Sequence, residues 1–86
     1  MINRLKLYFT NYDIPDEHFI SVLREHNLNP CQEYDKSIHR IAMLECVLQI
    51  FTELARASND NSFNSQIECY QNDIALLKHT KEIGNI

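Results

Sequence analysis

The residues of this chain that could do chemistry are four histidines, three cysteines and a dozen carboxylates. A metal site needs ligands spaced to meet on one side of a turn, as in C-x-x-C or H-x-x-x-H. His18, His26, His39, His79, Cys31, Cys46 and Cys69 show neither spacing. Asp35 and His39, four residues apart, are expected to be a solvated polar pair on one helix face. Cys31 follows His26 across Pro30, so the two could meet in space, with chance proximity the simpler reading. His26 itself lies on an apolar face and is expected to be half-buried, with one ring nitrogen on a carbonyl. No G-x-S-x-G or catalytic-cysteine signature is present, and one glycine, Gly84, leaves no phosphate-cradling loop. The expectation is therefore a non-enzymatic chain without metal or cofactor.

The elements that position these residues follow from length and periodicity. Eighty-six residues make one small domain over 1–86, and so few glycines and prolines argue against a many-turned β fold. The apolar pattern predicts an all-α domain of four helices, at about 2–11, 15–27, 30–57 and 65–83. In the first, Ile2, Leu5, Tyr8, Phe9 and Tyr12 share an arc, and Leu7 points away. Pro15 suits a first helical turn, with Asp16 and Glu17 beside the positive end of the helix dipole. Asn29, Pro30 and Gln32 read as the cap and start of the third helix, with a restart near Asp35 as the alternative. Between residues 41 and 57 its apolar positions span about 200° of arc, with Leu48 and Phe51 at the centre. A helix apolar on so many sides must be central and largely buried. Its polar wedge holds Glu45, Gln49, Thr52, Glu53 and Arg56. Residues 58–62 form the polar loop. Ser65 and Glu68 then have capping-box spacing, and Gly84 reads as the C-terminal cap.

Charge narrows the partners. Eight Lys and Arg stand against twelve Asp and Glu, and splitting the chain after residues 29 and 57 gives −1, −1 and −2. No basic segment is hidden by averaging, which argues against nucleic acid and anionic membranes. The second and third helices, taken as 15–27 and 30–57, loosely match a helix-turn-helix regulator. The first turn of that reading helix, with Gln32, Glu33, Asp35 and Lys36, would be net negative beside phosphates. No apolar stretch is long enough for a membrane span, and no signal peptide is evident. An odd number of cysteines in so short a chain points to reduced thiols and a cytoplasmic setting, with Cys46 half-buried.

The remaining signal concerns protein partners. On the fourth helix Phe63, Ile67, Tyr70, Ile74 and Leu77 recur at spacings 4, 3, 4 and 3, the seam that faces the core. Cys69, Leu76 and Ile83 recur every seven residues on the opposite side, with Leu7 of the first helix in an undefined relation to them. A seven-residue apolar repeat is the spacing of continuous helix–helix contact. These four residues are the candidate contact for another protein or a second copy, in weak self-association. Residues 36–84, with DKSIHRIAMLECVLQIFTEL, a polar loop and SFNSQIECYQNDIALLKHTKEIG, resemble the small helical head–tail connector proteins of tailed phages and prophages. That resemblance implies a non-enzymatic virion component assembled as a ring between capsid portal and tail.

Overall fold

The computed structural model describes residues 1–58 and 61–84, with side chains for 1–58 and 62–79. It is all-helical, with no strand among the described residues. Helices α1 (Ile2–Lys6), α2 (Asp16–Glu25), α3 (Lys36–Ser58) and α4 (Asn64–Gly84) are joined by 3-10 turns at Leu7–Phe9 and Asn61–Phe63. Among the described residues no helix is long and apolar enough to cross a membrane.

The first helix is shorter than its pattern predicts. After Lys6 the chain tightens into the 3-10 turn Leu7–Phe9, and Phe9 swings inward to 2% exposure. Pro15 is the residue before α2, with an extended ψ of 146°, rather than part of its first turn. Asp16 and Glu17 take that turn, as expected from the dipole. The helix ends in a Schellman motif. Asn27 is left-handed (φ 60°), its N–H bonds the Arg24 carbonyl at 3.0 Å, and the Leu28 N–H bonds the Leu23 carbonyl at 2.8 Å. Asparagine tolerates that conformation better than most residues, and the motif drives Leu28 into the core.

The third helix starts at Lys36, the later of the two starts, and the early start at Asn29 is corrected to an isolated turn. Asn29 does act locally: its Oδ1 accepts the Cys31 N–H at 3.0 Å. The chain start also bonds to this turn. The Met1 ammonium donates to the Gln32 carbonyl at 2.6 Å, and the Ile2 N–H to the Pro30 carbonyl at 3.3 Å. Asp35 then caps α3 by accepting the Ser37 N–H at 2.9 Å and the Ser37 hydroxyl at 2.7 Å. At the other end, Ser65 lies inside α4 rather than at its cap, because the Asn61–Phe63 turn leads directly into Asn64. Residues 59 and 60 of the expected loop, and whatever follows Gly84, lie outside the described residues.

Helix α3 runs about 34 Å at 1.5 Å per residue and buries His39, Met43, Leu44, Cys46, Val47, Ile50 and Phe51. Leu48, expected at the centre of the core, is half-buried, and Cys46 is fully buried rather than half. Helix α4 lies antiparallel on α3: Tyr70 stacks on Phe51 and Lys78 reaches Glu45. The Phe51 ring sits 4.7 Å from Phe9, 5.7 Å from Tyr70 and 6.0 Å from Phe63, so it touches the elements on both sides of α3. Phe51→Ala is expected to cost about 3–5 kcal/mol, a large part of the stability of so small a domain. Thermal or urea unfolding checks this, and a melt within a few degrees of wild type would contradict the placement.

Candidate functional site

The 4,3,4,3 stripe, which begins at Phe63 of the preceding 3-10 turn and continues along α4, faces inward, burying Ile74 and half-burying Phe63, Ile67, Tyr70 and Leu77. Geometry then sends Cys69 and Leu76 outward, and Leu76 is 64% exposed. The side chain of Ile83, third member of that repeat, lies outside the described residues. Leu7 is 65% exposed on the 3-10 turn between α1 and α2, and no described contact joins it to Cys69 or Leu76. The structure thus brings two of the four candidates onto one helix face and leaves Leu7 apart.

A further exposed apolar residue, absent from the sequence-derived set, lies on α3 beside the inward stripe of α4. Ile38, on the first turn of α3, is 71% exposed, and with Ile41 and Leu77 it lines a groove of about 690 Å³ between α3 and α4. Lys36 and Arg40 stand along the same groove. The signal for Ile38 was its spacing of three from Ile41 on the same helix. Once Asp35 caps α3, residues 36–40 form a helical first turn against the returning end of α4.

The residues able to do chemistry are mostly committed to packing. His26 is half-buried and its Nε2 donates to Gln49 Oε1 at 2.8 Å, matching the expected carbonyl partner. The Gln49 amide donates in turn to Glu25 at 2.7 Å and Glu53 at 3.2 Å, while His18 pairs with Glu53 at 2.6 Å. The other nitrogen of His26 lies 3.7 Å from Glu45, which Lys78 of α4 meets at 3.0 Å. The polar wedge of α3 is therefore a strip laced to α2 and α4. Cys31 is exposed, and no described contact joins it to His26. The expected solvated Asp35–His39 pair is corrected: His39 is buried, and its Nδ1 accepts the Asp35 backbone N–H at 3.0 Å while the Asp35 carboxylate turns to Ser37. Among the described residues, no three of His, Cys, Asp and Glu converge to hold a metal ion.

Burial pushes the Cys46 thiol up to about 12, with the Glu45 and Glu25 charges adding to the effect. A thiol held protonated is a poor nucleophile. In native protein, a thiol reagent is expected to label Cys31 and Cys69 within minutes and Cys46 only on unfolding. Mass spectrometry of the timed adducts checks this, and equal rates at all three would contradict the packing around Cys46.

The Ser37 hydroxyl and N–H hold the Asp35 carboxyl below its ordinary value. A carboxyl depressed by folding contributes stability above its unfolded value of about 3.9 and loses it as pH falls through the lower folded value. Ser37→Ala, which removes the stronger of the two bonds, is expected to melt below wild type at pH 6. The gap should narrow as pH falls below about 4. Melting temperatures across pH 2.5–7 (about five points on each side of the carboxylate range) test this, and a gap independent of pH would refute it. Compared with known proteins, this chain matches no family model, no curated protein and no solved structure.

Proposed function

We propose that the protein is a non-enzymatic, cytoplasmic interaction module that self-assembles weakly through the outward face of α4, in the manner of a phage head–tail connector. The observation that carries this reading is Leu76, 64% exposed on a helix whose opposite face is already spent on the core. Exposed Cys69 lies on the same side of the helix, and Ile38 is a separate exposed apolar residue on α3 beside Leu77. Large apolar side chains left exposed once the core is filled are candidates for contact with another protein. The non-enzymatic reading is supported by His18, His26 and His39, each held by a structural partner. Three free thiols support a reducing compartment.

A helix-turn-helix regulator is the competing reading, and the connection between α2 and α3 weighs against it. Such motifs join their helices by three or four residues, whereas Glu25 and Lys36 are separated by the whole of 26–35. Helix α2 would also bring Asp16, Glu17 and Glu25 towards the phosphates.

Burial of Leu76 at an interface is worth about 1.5–3 kcal/mol per copy, while exposed it adds almost nothing to folding. Leu76→Glu is therefore expected to leave the melt nearly unchanged and to shift a dimer or higher assembly towards monomer. Mass measurement in solution over a range of concentrations reads the result. A wild type monomeric at the highest concentration would overturn self-assembly, and a Leu76→Glu variant that unfolds would show the face to be core.

A further inference from the structure

A second cleft, which shares Lys36 and Arg40 with the groove beside Ile38 but not Leu76, gathers cations in a chain of net charge −4. It has a volume of about 350 Å³ and is walled by Arg4 and Tyr8 from the chain start, Tyr34, Lys36 and Arg40 at the start of α3, and Tyr70 and Asp73 on α4, with Leu44 as floor. The gathering is a product of the fold, since residues 4, 36 and 73 are far apart in the chain. Lys6 and Lys78 are consumed by Asp16 and Glu45, but Arg4, Lys36 and Arg40 form no ion pair among the described residues. Arg4 is not loose: its guanidinium lies over the Tyr34 ring, 4.7 Å from the centroid. A cation held on an aromatic face keeps its N–H edge free to donate.

We propose that this cleft binds a phosphomonoester dianion, held by Arg4, Lys36 and Arg40 with phenol hydroxyls as further donors. Charge matching comes first. Three cations and one carboxylate leave a local charge of +2, and a phosphomonoester carries about −1.5 to −2 at neutral pH. Donor number comes second. Two guanidinium forks, an ammonium and the phenols suit three terminal oxygens better than the two of a carboxylate. Burial pushes the Tyr70 phenol up, so that hydroxyl is a donor at neutral pH. The rings are less suited to stacking a nucleobase. Tyr34 is covered by Arg4, and Tyr70 lies stacked on Phe51 with the Tyr8 ring edge-on at 6.2 Å. A polyanionic diester backbone would also meet the negative charge of the rest of the chain. The same dianion can come from a small phosphate ester or from a phosphorylated side chain of another protein, and both offer it to the same three cations.

The test is a titration of isotope-labelled protein by NMR with inorganic phosphate, O-phosphoserine and a short phosphoserine peptide. Sodium acetate and sodium chloride at matched ionic strength, and a short DNA duplex, are the comparisons. Saturable shifts confined to residues 4–8, 34–40 and 70–73 are expected with the phosphates. Tighter binding of the peptide than of O-phosphoserine assigns the source to a protein, and equal binding assigns it to a small ester. The Lys36→Ala/Arg40→Ala double variant should weaken binding at least tenfold with an unchanged melt, because both side chains are exposed. Tyr34→Phe keeps the ring under Arg4 and should cost less. Shifts that match those from chloride or acetate, binding that survives the double variant, or tighter binding of the duplex would each overturn the proposal. Leu76→Glu should leave phosphate binding unaltered, so failure of the assembly reading and failure of this one can be told apart.

Discussion

The structure depends on the ring of Phe51. Phe9 approaches it at 4.7 Å, Tyr12 edge-on at 6.1 Å, Phe63 at 6.0 Å, and Tyr70 stacks on it with planes 16° apart. Phe19 of α2 joins through Phe9 at 5.9 Å. One side chain on the central helix therefore connects the chain start, α2 and α4, each of which is too short or too polar to be stable alone. Aromatic pairs in tilted and offset arrangements contribute about 0.5–1.5 kcal/mol beyond the area they bury. The 3-10 turn Leu7–Phe9 ends at this contact, with Phe9 at 2% exposure.

If the aromatic cluster holds the helices together, the polar strip sets their registers. Gln49 spends its carbonyl on His26 and both amide N–H groups on Glu25 and Glu53 at the α2–α3 seam. His18 and Glu53 are each about two-fifths exposed, and exposed pairs of this kind contribute about 0–1 kcal/mol. The strip therefore selects one sliding position of α2 on α3 more than it adds stability. Lys78 brings α4 into the same strip through Glu45.

The start of α3 links this frame to the surface. Met1 and Ile2 occupy the carbonyls of Gln32 and Pro30, the helix waits for Asp35, and its first turn then carries Lys36, Ile38 and Arg40 outward. Both candidate surfaces meet there. The apolar groove runs from Ile38 towards α4, and the cationic cleft runs from Lys36 and Arg40 towards Arg4 and Tyr70.

Periodicity and capping chemistry determined the helical class, the central place of α3, the inward stripe of α4 and the outward Leu76, because each is a matter of which residues share a face. The half-burial of His26 was legible for the same reason. What local chemistry could not decide is which of two competent caps wins at the start of α3. Asn29 and Asp35 both bond a following N–H, yet the helix starts after Asp35, where Met1 bonds the Gln32 carbonyl from thirty-one residues away. The burial of His39 and the convergence of Arg4, Lys36 and Arg40 have the same origin. Both depend on distances across the folded chain, which spacing along the chain does not carry, so only tertiary packing could create them.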